Sequence, residues 1–230
     1  MFVMTLTIDA KAFIPGGASD DTKLRLLNAA GEVFAEQGFE KATVRDICAR
    51  AGANIAAVNY HFGGKDKLYN AAVLYWQREA LEKHPPLLGL TDAAPAEERL
   101  KAFVHSILRR MFDPGRPSWH GKLMAREMIA PTSASELKCV EYVRPLTEIL
   151  GRILRDLIGP NATDETVRQS VCSVVGQCVF FFHHRPLLDR VMPQQQFDPE
   201  SVERLADHIV AFSLAGLRGI SASTSGTTHE

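Results

Sequence analysis

The chain has 230 residues, 46% hydrophobic and 23% charged, with 26 Lys and Arg against 27 Asp and Glu for a formal net charge of −1. That composition excludes a disordered, collagen-like or coiled-coil chain and leaves room for one large domain or two small ones. It also removes bulk basicity as an argument, so any nucleic-acid binding has to come from a local surface.

In chain order, residues 1–19 are expected to form a flexible arm, with Met1 and Met4 both candidate starts. Leu24, Leu27, Ala30, Val33 and Phe34 then lay an apolar stripe on a helix that begins near Asp20 or Asp21 and stops before Gly38. Thr43 with Asp46 three residues on resembles a capping box. Val44, Ile47, Cys48 and Ala51 give the spacing of a short second helix that Gly52 ends. Asn54 is the expected N-cap of a third helix, which faces Val58 and Phe62 inward and breaks at Gly63 and Gly64. A fourth helix opens at Lys65 and reaches about Lys83, before Pro85 and Pro86 and a loop to Ala94 mark a domain boundary. Two short helices across a Gly-containing turn are the pattern of a helix-turn-helix unit, whose last helix enters the DNA major groove.

The run LLNAAGEVFAEQGFEKATVRDICARAGANIAAVNYHFGGKDKLY, residues 26–69, resembles the TetR family of bacterial transcription regulators. Phe-Ala-x-x-Gly-Phe at the end of the first helix, Thr43, Ile47, Ala51-Gly52 and Tyr60-His61-Phe62-x-x-Lys65 all fall at that family's spacings. The resemblance implies base-facing positions at Arg45, Ile55, Ala56 and Asn59, and phosphate-facing positions at Thr43, Tyr60, His61 and Lys65. Asn54 and Ala57 complete the candidate DNA-binding set. These residue types suit contact with base edges, since Asn59 matches adenine N6 and N7, Arg45 a guanine, and the apolar Ile55 and Ala56 thymine methyls. Between Arg50 and Lys67, the cations Arg50, Lys65 and Lys67 against Asp66 give a formal +2.

From 94 onward the periodicity is again helical. Leu100, Phe103, Val104, Ile107, Leu108 and Met111 form one amphipathic helix; Trp119 to Ile129 suggests another. Ser133 to Leu157 contains Pro145, so a kink or two abutting helices are expected. An apolar helix from Asp164 to Phe182 follows, interrupted by Arg185-Pro186, and a last helix runs from Pro199 to Leu217 with Val202, Leu205, Ile209, Phe212 and Gly216 on one stripe. Residues 221–230 are expected to be a disordered tail. The fold class is therefore all-α: a helix-turn-helix DNA-binding domain over 20–83 and a larger helical effector-binding and dimerisation domain over 94–220.

Ala125-Arg126-Glu127-Met128, Pro131-Thr132 and Gly176-Gln177 make the C-terminal domain similar to the CecR (CerR-like) subgroup, which implies a link to efflux or drug tolerance. The family resemblance also implies a homodimer built through the last two long helices, placing two recognition helices about 34 Å or a multiple apart on double-stranded operator DNA. Candidates for an unknown small-molecule effector are polar residues on apolar helices, His105, Arg109, Glu127, Tyr142 and Gln177, with Trp119, Met124 and Phe181 as walls. Arg126 beside Glu127 reads equally well as part of an ion pair.

No GxSxG, Walker loop, GxGxxG or HExxH is present, so no catalytic residue, cofactor or metal is expected. The competing reading is a ligand-independent scaffold on DNA that recruits a protein partner. Cys48, Cys139, Cys172 and Cys178 form no CxxC pair and sit in apolar runs, as reduced, buried thiols would. The longest apolar run, Val171 to Phe182, falls short of the ~20 residues of a membrane span. Residues 2–8 lack the basic flank and cleavage site of a secretory signal, so the expected location is the cytoplasm.

Overall fold

The computed structural model describes residues 18–226, which contain helices and connecting turns and no strand. Most of the expected arm and the end of the expected tail, 227–230, lie outside the described residues. The chain divides into two compact units, one holding the described residues up to Tyr75 together with Pro117–Ser135, the other Trp76–Arg116 and Glu136 onward. Sequence order alone places 117–135 in the C-terminal domain; the segment packs instead with the first unit.

In the first unit, α1 (Ala18–Lys41) takes in the last two residues of the expected arm and is broken at Gly38, whose φ of 79° suits glycine. α2 (Val44–Ala51) starts on Thr43, whose hydroxyl oxygen accepts from the Asp46 N–H at 3.1 Å, and ends on left-handed Gly52. α3 (Ile55–Phe62) starts on Asn54, whose Oδ1 accepts the Ala56 N–H at 2.9 Å, and ends on left-handed Gly63. α4 (Lys65–Lys83) belongs to this unit as far as Tyr75. The core joins Leu27, Ala30, Val33 and Phe34 of α1 to Ile47, Val58, Leu68 and Val73, with the Tyr69 ring edge-on to Phe34 at 4.7 Å.

The added segment carries the helix Ser118–Ile129, which is α6 in chain order after α5 (Ala96–Met111), and it closes that core against α1. A Cβ built on Gly31 would lie 2.4–2.5 Å from three alternating atoms of the Trp119 six-membered ring, so the ring lies flat over the glycine. Arg126 donates to the carbonyls of Ala35 at 2.9 Å and Glu36 at 3.0 Å, which lie just ahead of the Gly38 break and have lost their helical donors. Arg126 is thus a helix cap and forms no pair with its neighbour Glu127.

The second unit is a bundle of α5, α8 (Arg144–Ile158), α9 (Asp164–His183) and α11 (Pro199–Gly226), around Leu100, Phe103, Leu108, Leu150, Ile153, Val174, Leu205 and Ile209. Ahead of α8, α7 (Ser133–Lys138) passes into a π turn at Cys139–Val143. Pro145 has no N–H to continue an α-helical ladder; the turn shifts the register by one, with the Arg144 N–H reaching the Cys139 carbonyl. At the Arg185-Pro186 interruption the chain forms a further short helix, α10 (Arg185–Val191), which the sequence pattern does not announce.

Two expectations about α11 are corrected. The helix runs through residues 221–226 of the expected tail, where the Ser223 hydroxyl donates to the Gly219 carbonyl one turn back at 3.0 Å. Its buried line continues from Ile209 through Ser213 to Leu217, a four-residue step, which leaves Phe212 65% exposed and Gly216 exposed as well. The cysteines split: Cys48 and Cys178 are buried, whereas Cys139 and Cys172 occupy outward positions of the π turn and α9. Among the described residues no helix is long and apolar enough to cross a membrane.

Candidate nucleic-acid interface and effector residues

Burial sorts α3 into two faces. Val58 and Phe62 are inside, while Ile55, Ala56 and Asn59 are exposed and Tyr60 is 82% exposed. An isoleucine and a tyrosine are thus turned outward on one helix that begins at a capped N-terminus. Asn54 is exposed and keeps its amide donors after spending Oδ1 on the cap; Ala57 and His61 are half-buried. The Tyr60 and His61 rings meet edge to face at 4.9 Å.

The cations divide less simply than their formal count. Arg50 is held by Glu36, with contacts of 2.8 and 2.9 Å, and lies 3.5 Å from Glu32, so it adds little to the expected local +2. The pairing partners sit on α1, outside the window over which the charge is counted. Arg45 is exposed, and among the described residues no carboxylate pairs with it. Lys65 is half-buried, with Nζ 4.5 Å from the Phe39 ring centre and 3.3 Å from the Glu40 carbonyl, which fastens α4 to the end of α1. The Thr43 hydroxyl donates to Asp46 Oδ2 at 2.6 Å, so its proton is already spent within the cap.

The effector candidates separate. Trp119, Met124 and Glu127 are buried in the first unit; His105, Arg109, Tyr142, Gln177 and Phe181 belong to the second. Glu127 accepts hydrogen bonds from the hydroxyls of Tyr69, Thr132 (3.0 Å) and Ser135 (2.5 Å). Burial first, then the bond to Glu127, pushes the Tyr69 hydroxyl above its usual range.

His105 is buried with its ring nitrogens 2.7 Å from Glu203 and 3.1 Å from Asp207, and Arg109 grips Glu203 at 2.7 and 2.8 Å. The Arg109 guanidinium, above all, holds the Glu203 carboxyl below the usual range. These side chains tie α5 to α11. Tyr142 accepts from Arg78 Nε at 2.8 Å, and Gln177 donates to the Ser213 hydroxyl at 3.3 Å. Phe181 borders a shallow surface depression with Gln194 and His208.

A residue that the sequence pattern alone does not single out is Arg110. It stands seven residues after Phe103, hence on the buried face of α5, and is 9% exposed. That position is the signal from which it could have been found.

A three-helix unit with capped short helices and an outward contact face is the architecture of a helix-turn-helix DNA-binding protein. The sequence pattern described as "Bacterial regulatory proteins, tetR family" matches residues 26–72, and "HTH-type transcriptional dual regulator CecR, C-terminal domain" matches residues 96–217. The chain belongs to the TetR family of transcriptional regulators and carries a C-terminal domain of the CecR type. It is 27% identical over 211 residues to the dual regulator CecR of Shigella flexneri, covering 88% of this chain and 94% of that one. A TetR-family regulator from Streptomyces coelicolor shares the fold with a TM-score of 0.60 at 20% identity, over 86% of this chain and 96% of the other. A TetR-like regulator from Rhodococcus sp. RHA1 gives 0.59 at 18% identity, over 86% and 96%. Proteins of this family are regulators and not enzymes.

Proposed function

We propose that the protein is a homodimeric repressor, released from a palindromic operator by a small molecule. The observation that carries the DNA-binding part is the outward face of α3, with Ile55, Ala56, Asn59 and Tyr60 together and Val58 and Phe62 behind them. The dimer is supported by a second face. Phe180 of α9 is 44% exposed and Phe212 of α11 65%, and the outward positions beside them include Gly176 and Gly216, which permit close helix approach. Control of efflux or drug-tolerance genes is read from the CecR-type C-terminal domain, and the expected location is the cytoplasm. Release would be a population shift, in which the effector favours a conformation with misplaced recognition helices. α4 is the proposed lever because it contributes residues to both units.

The test is salt-dependent binding to the duplex just upstream of the protein's own gene, against a scrambled duplex. Arg45→Ala and Asn59→Ala, both exposed, are each expected to weaken specific binding by roughly 5- to 150-fold, the loss of one base contact of about 1–3 kcal/mol. Equal affinity for both duplexes in the unaltered protein would refute operator recognition. For the dimer, Phe212→Asp is expected to turn a dimeric sedimentation profile monomeric and to reduce operator affinity; a dimer that survives it would move the interface elsewhere.

A further inference from the structure

Within the second unit, the end of α4 and the end of α5 with its following loop line a partly open cavity of about 210 Å³. Arg110, Arg116 and Lys83 border it on the cationic side, Asp113 and Glu79 on the acidic side, and Trp76 supplies an aromatic wall. Asp113 is already engaged: Lys83 Nζ lies 2.8 and 2.9 Å from its two oxygens, and the Gly115 N–H donates to Oδ1 at 2.9 Å. Those contacts hold its carboxyl below the usual range against the opposing effect of burial. Glu79 is different, pushed up by burial and by Glu82.

Arg110 has no such neighbour. Its Nε donates to the Ser106 carbonyl at 3.2 Å, its Nη2 is sealed from solvent with no hydrogen-bond partner, and among the described residues no carboxylate pairs with it. Burial lowers the guanidinium to about 10, which still leaves it charged at neutral pH. Arg116 lies beside it in the cavity wall, with Nη1 donating to the Met111 carbonyl at 3.3 Å and its guanidinium 5.3 Å from the Phe182 ring centre. A buried guanidinium without a counter-charge is costly, and groups perturbed by burial in this way cluster at functional sites.

We propose that this cavity binds a small carboxylate, its charge supplying the counter-ion that the Arg110 guanidinium lacks and its short apolar or single-ring body lying against Trp76. The volume falls below the roughly 300–1,000 Å³ of sites for drug-sized ligands, which sets the size class. Carboxylate is favoured because it matches the planar fork of a guanidinium. The inference deepens the effector reading above and rests on it for any consequence on DNA.

Calorimetric titration of the full-length protein with acetate, butyrate and benzoate, and with benzamide as the neutral counterpart of benzoate, tests the site. At least one carboxylate is expected to bind and benzamide is not. Arg110→Met, which removes the unpaired charge at similar volume, is expected to fold with an unchanged or raised Tm and to bind the carboxylate roughly 10- to 100-fold more weakly. Arg110→Lys keeps the charge but not the fork and is expected to fall between. Failure of all three carboxylates on the unaltered protein, equal binding of benzamide, or unchanged affinity in Arg110→Met overturns the proposal. Repeating the titration on the operator complex separates the two readings. Carboxylate binding that releases no DNA upholds the site and counts against effector control, whereas intact DNA binding with no carboxylate binding overturns the site and leaves the regulator standing.

Discussion

Gly31→Val is expected to cost more than about 3 kcal/mol, beyond the usual 1–3 kcal/mol for overpacking a core. The Trp119 ring lies over the glycine at a distance where even a methyl group would enter its face, and the ring is itself only 7% exposed. It has nowhere to retreat without opening the contact between α1 and α6. Gly31→Ala removes a poor helix former, worth about 1 kcal/mol in its favour, yet it is still expected to destabilise. Denaturant midpoints of Gly31→Ala, Trp119→Leu and the double variant form the decisive cycle. The double variant should recover stability relative to the sum of the singles, because the smaller side chain leaves room for the methyl. Strict additivity would show that the two residues do not press on each other.

Glu127→Ala is expected to destabilise the same unit by about 3 kcal/mol or more, at about 1–3 kcal/mol for each buried donor left without an acceptor. The Glu127 side chain is 4% exposed and takes the Tyr69, Thr132 and Ser135 hydroxyls, so its removal strands the buried Tyr69 donor and leaves the two half-buried hydroxyls without their acceptor. Glu127→Gln preserves shape and one acceptor oxygen, and hydroxyls can turn to accept from its amide; about 1–2 kcal/mol is expected. Thermal unfolding of the two variants side by side reads the difference. If both match the unaltered protein, the cluster contributes nothing to folding, and Glu127 returns as an effector candidate.

Local chemistry is the most legible part of the chain. The stop at Gly38, the caps Thr43 and Asn54 and the turns at Gly52 and Gly63 depend on residues within four positions, and each stands where its side chain or φ preference places it. The α3 face can be read for the same reason. Pairing across long separations is hidden. Nothing near Arg50 in sequence announces that Glu36 neutralises it, and nothing near His105 announces Glu203 and Asp207. Polar residues on apolar helices therefore read as ligand contacts when several of them tie α5 to α11. Arg110 escapes the opposite way: it is the guanidinium left without a partner, and only its register on α5 distinguishes it from Arg109 beside it.

The packing of α6 on α1 also bears on how the protein comes into being. The first unit is discontinuous along the chain, with Trp119 sealing Gly31 and Arg126 closing the end of α1 from some ninety residues downstream. A nascent chain released from the ribosome only as far as residue 75 holds α3 but not the lid of the core beneath it. Synthesis proceeds at about 5–20 residues per second, so the unit waits several seconds as an unfinished intermediate before its last helix arrives. The core beneath α3 is thereby completed only once the segment 117–135 has emerged.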